Sequence, residues 1–207
     1  MADEPKLPMD DEISRRTLLA SAAFVPLAAL TASAQQARQA AAAPTALSAA
    51  HMKTLEAFID RLIPTDELGP GAVQAGAQIY IDRALAGPNA NEKDTFLQGL
   101  EAVDAYARRV HGAPLAELSA EKRDQLLTEI DNNTAQGLPQ GRQFFNRART
   151  LTLQGMFGDP YYGGNKNFAG WDLIRYPGPR PAVDPDLQRM DKAPAPYRRS
   201  AYGAQYK

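Results

Sequence analysis

The sequence contains no cysteine, and its 207 residues include only two histidines, His51 and His111. Without cysteine there is no disulfide framework, no thiolate nucleophile, no iron–sulfur cluster and no cysteine-ligated zinc. The two histidines are too far apart in sequence to form a local cluster of imidazole ligands. An excess of one charge is also missing: Lys and Arg total 23 against 24 Asp and Glu, a formal net charge of -1. That balance provides no basic footprint for a polyanion, so no nucleic-acid partner is expected. No apolar run reaches the roughly 20 residues of a membrane-spanning helix. Glycine-rich phosphate loops are absent as well, since neither G-x-G-x-x-G nor G-x-x-x-x-G-K-[ST] occurs. These absences argue against a self-sufficient redox or metal enzyme. No residue is assigned a catalytic, cofactor-binding or metal-ligating role.

Composition divides the chain into four parts. Residues 1–34 read as an export signal: a polar start, the pair Arg15–Arg16, the apolar run Leu18–Leu30, and Ala32-Ser33-Ala34 as an A-x-A cleavage pattern. Ser14, Arg15, Arg16, Leu18 and Leu19 resemble the twin-arginine (Tat) motif, with Leu18 where Phe is commonest. The start is acidic, with Asp3, Glu4, Asp10, Asp11 and Glu12 against Lys6, Arg15 and Arg16, unlike an ordinary secretory signal. A Sec signal or an uncleaved anchor is the alternative. Tat substrates cross the membrane already folded, so the motif implies the Tat translocase as a partner and a periplasmic destination. Residues 35–46 are an Ala- and Gln-rich linker.

Residues 47–158 read as a helical domain. Ser48 can cap a helix through Ile63, with Met52, Leu55, Ile59 and Leu62 on one stripe and Pro64 as its stop. A second helix is expected from Ala72 to Ala86, with Val73, Tyr80 and Leu85 among its apolar residues. Phe96, Leu100, Val103, Ala107 and Val110 recur at amphipathic spacing in a third, closed by Gly112 and Pro114. Ser119 can cap a fourth, carrying Leu126, Leu127 and Ile130, and a fifth runs from about Gln140 to Met156 with Phe145, Ala148, Thr152 and Gly155 on one face. No segment alternates with period two, so the expectation is an all-α bundle of about five helices. His51 and His111 read as surface or helix-end residues, Asp82 with Arg83 and Glu101 with Asp104 as solvated helix-face pairs, and Gly69-Pro70-Gly71 as a turn.

Residues 159–207 form an extended arm holding seven of the 16 prolines, six of the eight tyrosines and the single tryptophan, with eight Lys and Arg against five Asp. So much proline opposes long helices, while so many aromatics oppose a disordered tail. Tyr and Trp favour sites where one end of the side chain is buried against a neighbour, so the arm is read as wrapping this domain or another subunit.

Within it, Asp159-Pro160-x-Tyr162-Gly163-Gly164-Asn165, then Gly170-Trp171, then Tyr176-Pro177-Gly178 resemble the signature of the gluconate 2-dehydrogenase subunit 3 family. Phe58 to Pro64, Gly71-Ala72-x-x-Ala75-Gly76 with Tyr80 to Asp82, and Phe144-Phe145 fit the same family. Arg175 departs from it, standing where the family commonly has glycine. The resemblance implies a non-catalytic small subunit of a periplasmic dehydrogenase complex that is membrane-associated through its partners. FAD is then expected in a large partner subunit and haem c in a cytochrome c subunit, with no cofactor in this chain. The eleven signature residues are read as forming a subunit interface or as ordering the arm. A free-standing periplasmic binding or scaffolding protein is the alternative function. An enzyme using unidentified carboxylates is a more distant one.

Overall fold

The computed structural model describes residues 46–180, 182, 185–189, 191 and 193–203. The twin-arginine motif, the cleavage site at Ala32 and Ala34, and the linker up to residue 45 lie outside the described residues. Among the described residues there are six α-helices and no β-strand: α1 (Ala49–Leu62), α2 (Ala77–Ala86), α3 (Lys93–His111), α4 (Ala120–Asp131), α5 (Gly141–Phe157) and α6 (Ala169–Leu173). None is long and apolar enough to cross a membrane.

The helix boundaries follow from local chemistry. Ser48 Oγ accepts the His51 amide at 3.2 Å, satisfying one of the unpaired N–H groups at the start of α1. Ser119 caps α4 through the Lys122 amide in the same way. Pro64 follows the last residues of α1, where its ring disfavours helical backbone in the residue before it. Gly112, at φ 76°, ends α3 in the left-handed conformation usual for a helix C-terminus. The second helix is shorter than its sequence suggests, because Gly76 also sits at φ 77°. Ala72–Gly76 is therefore a turn, and the helix begins only at Ala77. Val110, in the last turn of α3, stays exposed, while Tyr106 is buried.

Helix α5 is the axis of the bundle and packs against α1, α2, α3, α4 and α6. Phe58 of α1 meets both Phe144 and Phe145 edge-on at 5.6 Å, and Phe96 of α3 lies 5.2 Å from Phe144. Such edge-to-face pairs each add about 0.5–1.5 kcal/mol beyond area burial. Leu55, Ile59, Ile81, Leu85, Leu100, Leu126, Ile130, Leu151 and Met156 complete a core from which water is excluded.

Polar groups tie the helices at their edges. Arg61 of α1 grips Asp124 of α4 through two bonds of 2.7 and 2.9 Å, and this holds the Asp124 carboxyl below its usual range. Arg147 of α5 clasps Glu92, just before α3, in the same bidentate manner at 2.5 and 2.8 Å. The buried Asp82 carboxylate accepts the Leu47 amide at 2.9 Å and so fastens the segment entering α1 onto α2.

Tyr106 donates to Glu129 at 2.5 Å, joining α3 to α4. Burial, and then the neighbouring carboxylate, push the phenol up from 10.0 to about 12. A group whose folded value is raised stabilises the fold fully below its unfolded value and loses that contribution as pH climbs through the folded one. The wild-type protein should therefore lose stability between about pH 10 and 12, and Tyr106→Phe should make this alkaline limb shallower by up to about 2 kcal/mol. Urea unfolding across that pH range measures the difference.

Candidate functional site

Every helix ends with carbonyl groups that have no partner within it. At the end of α5 these carbonyls point into the glycine- and aromatic-rich run, which folds back over them. The Asn165 side chain is fully buried; its Nδ2 donates to Gly158 O at 2.8 Å and its Oδ1 accepts the Gly170 amide at 2.9 Å. The Trp171 indole donates to Phe157 O at 2.9 Å. Two carbonyls further back are covered by backbone. A methyl group on Gly164 would lie 2.0 Å from Gly155 O, and one on Gly170 would lie 1.9 Å from Met156 O. Only glycine permits these approaches. The Lys166 amide donates to Ala75 O at 2.8 Å, so the same loop is also fastened to the turn before α2.

The route has a conformational cost. Asn165, Asn167, Phe168 and Arg175 all have φ between 47° and 61°. The left-handed region costs an L-residue roughly 1–2 kcal/mol, least for asparagine. Phe168 is held there by burial of its ring, whose centroid is 5.4 Å from that of Trp171. Arg175 is exposed and has no such compensation.

A second turn of the arm closes the structure. Asp159 Oδ1 accepts the Tyr161 amide at 2.9 Å and caps the turn Pro160–Tyr162. Its other oxygen accepts the Ala201 amide at 2.8 Å, bringing the far end of the arm back onto its beginning. The Tyr197 amide donates to Pro177 O at 2.7 Å, beside Gly178, where a methyl group would lie 2.1 Å from Tyr197 O. Arg198 pairs with Asp172 at 2.7 Å.

The eleven signature residues thus divide by direction. Asp159, Pro160, Gly163, Gly164, Asn165, Gly170, Trp171, Pro177 and Gly178 build the fold of the arm, and Trp171 is buried against the end of α5. Tyr162 and Tyr176 face outward. They are joined by Tyr161, Ile174, Tyr197 and Tyr202, and the six are 41–59% exposed. Tyr161 and Tyr202 stack with centroids 4.5 Å apart, and the Tyr162 and Tyr202 hydroxyls meet at 2.5 Å. That hydrogen bond raises the Tyr162 phenol above its ordinary value. Tyr161, Ile174, Tyr197 and Tyr202 were not singled out by the signature. Their one sequence signal is the crowding of aromatics in the arm. Beside the tyrosines, Phe157, Trp171, Ile174, Tyr176, Pro179 and Ala201 enclose a pocket of about 330 Å³ that Asp159 borders.

A larger cleft of about 720 Å³ lies between α3 and the first half of α5. Phe96, Val103, Leu138 and Phe144 form its floor, and Gln98, Gln143 and Asn146 stand on its rim. Glu92 at its edge is taken up by Arg147. Elsewhere, polar groups serve the fold. Asp104 accepts the Leu115 amide, His51 meets Glu101 at 3.0 Å, and the Gly69 and Gly71 amides bond within their own turn. Among the described residues, no three His, Asp or Glu side chains are grouped to hold a metal ion. The outward face of the arm consists of aromatic side chains and arginines over a hydrogen-bonded base.

Two substitutions test this construction. Asn165→Ala leaves Gly158 O and the Gly170 amide unpaired in a dry site and should lower stability by about 2–4 kcal/mol. Arg175→Gly relieves the left-handed backbone and should raise stability by about 0.5–1 kcal/mol. Chemical denaturation of the purified variants reads both.

Compared with known proteins, residues 49–178 match the family model described as gluconate 2-dehydrogenase subunit 3, and the chain belongs to that family. The match begins with the first residue of α1 and ends at Gly178, the last signature residue. No curated protein and no solved structure matches.

Proposed function

We propose, from its place in the gluconate 2-dehydrogenase subunit 3 family, that this chain is the non-catalytic small subunit of a periplasmic flavoprotein dehydrogenase complex. In this reading it binds a large subunit that holds FAD and oxidises the substrate, and it carries that subunit through the Tat translocase on its own signal. A cytochrome c subunit with haem c anchors the complex at the membrane and accepts the electrons. The observation that carries the reading is the family match over residues 49–178, which takes in all five bundle helices and the run folded over α5.

The physical character of the chain supports it. Buried and half-buried carboxylates are spent on backbone amides and arginines, as at Asp82, Asp104 and Glu92. What the arm presents to solvent is aromatic surface. An escort also accounts for a folded-export motif on a chain that has no cysteine and only two histidines.

Purification of a tagged chain from membranes of the native host tests the proposal. A flavin-containing subunit and a haem protein should co-purify, and the preparation should oxidise a sugar acid or sugar with a dye as acceptor. A monodisperse chain without a flavin partner would instead favour a free-standing binding or scaffolding protein. In the same host, Arg15→Lys with Arg16→Lys should leave both the chain and the flavoprotein in the cytoplasm. Undiminished export would sink the Tat assignment.

A further inference from the structure

Resting on the reading above, we infer that the exposed face of the arm is where the flavoprotein binds. An apolar side chain of the large subunit enters the pocket between Trp171, Ile174 and Tyr176, and carboxylates around that anchor meet Arg175, Arg180 and Arg199.

Four observations carry the inference. The face is contiguous: Asp159 and Ala201 border the pocket and are hydrogen-bonded to each other, and each stands within two residues of a stacked tyrosine, Tyr161 or Tyr202. It is also held in place before any partner arrives. The Tyr162 and Tyr202 hydroxyls bond to each other, Arg199 donates to the Tyr197 hydroxyl at 3.0 Å, and the backbone beneath is locked through Asn165 and Asp159. A surface ordered in advance loses little side-chain freedom on binding, and tyrosine loses less than longer side chains.

The third observation is strain. Arg175, between Ile174 and Tyr176, occupies left-handed backbone at φ 55°. This is what sets the two side chains beside the pocket, and strained backbone concentrates at binding surfaces. The fourth is charge. Among the described residues, Arg175, Arg180 and Arg199 have no carboxylate within ion-pair distance, whereas Arg198 is paired with Asp172. Arg180 donates to Ala195 O, a neutral acceptor. The one charged residue lining the pocket, Asp159, is taken up by the Tyr161 and Ala201 amides, so the arginines adjoining its lining residues favour carboxylates on the partner.

A protein surface fits these features better than an anionic membrane does. The face includes a pocket lined by apolar and aromatic side chains, and the hydroxyls of Tyr162, Tyr197 and Tyr202 are already hydrogen-bonded within it. The α3–α5 cleft lacks this signature, because its rim is neutral amides and its one arginine, Arg147, is paired with Glu92.

The test uses the complete complex, purified through a tag on the small subunit, with the large subunit quantified by its flavin. Ile174→Arg should reduce flavoprotein recovery at least tenfold, and Tyr202→Ala several-fold. Arg175→Glu should also reduce it, through charge reversal. Isolated Ile174→Arg and Arg175→Glu should unfold at the wild-type temperature, which separates loss of contact from loss of fold. Gln143→Arg, on the rim of the α3–α5 cleft, should recover the flavoprotein at full yield. Full recovery with Ile174→Arg, or loss with Gln143→Arg alone, overturns the placement and leaves the subunit assignment intact. If the wild-type chain brings down no flavoprotein, both fail. Wild-type binding to phosphatidylglycerol vesicles that Ile174→Arg abolishes, with flavoprotein recovery unchanged, assigns the face to the membrane instead.

Discussion

One buried amide decides the shape of everything after α5. Asn165 reaches back to Gly158 O with its nitrogen and forward to the Gly170 amide with its oxygen, so a single side chain supplies the hydrogen bonds missing on both sides of a tight loop. The glycines at 164 and 170 exist to let backbone lie against the carbonyls of Gly155 and Met156. Trp171 then donates to the carbonyl of Phe157. Removing either side chain, Asn165 or Trp171, leaves a polar group of the helix end without its partner. The contacts therefore act as one unit, which together with the burial of Phe168 and Trp171 joins the arm to the folded domain.

That unit also explains why a helical bundle of ordinary composition can present an aromatic surface without collapsing onto it. Apart from the buried ring of Phe168, the inward residues of the run are small, polar or fixed by hydrogen bonds. The outward ones are Tyr161, Tyr162, Ile174, Tyr176, Tyr197 and Tyr202, which the path of the backbone leaves 41–59% exposed. Apolar side chains in a flexible tail would bury themselves wherever they could. Here the backbone is immobilised first, and the exposed apolar area is its consequence.

Much of this was legible in the sequence, for identifiable reasons. Stripes at helical spacing located α1, α3, α4 and α5, because burial against a common axis imposes that period on any sequence. Ser48 and Ser119 marked two starts through a local chemistry that needs no tertiary context. The start of α2 was not legible. Ala72, Val73 and Ala75 are all compatible with helix, and only the left-handed Gly76 breaks the pattern. Helix α6 has five residues, too few to show a period, and it stands because Trp171 and Phe168 are buried beside it. The run itself could be recognised by its glycines and aromatics, but not the direction in which each side chain points. Trp171 and Tyr176 look alike in composition. One is a buried cap of a helix and the other lies on the surface, and only the path of the backbone through the left-handed residues separates them.

The bonds that seal α5 join residues 7 and 14 positions apart, Asn165 to Gly158 and Trp171 to Phe157. They are short-range contacts of the kind that close quickly once both ends exist. They nevertheless lie late in the chain, so a ribosome has made the whole bundle before it delivers the residues that finish the last helix. A product that stops short of Trp171 keeps nearly all of its core residues, yet exposes Met156 and a row of bare carbonyls at one end. Completeness of translation is thus written into solvent exposure at a single place.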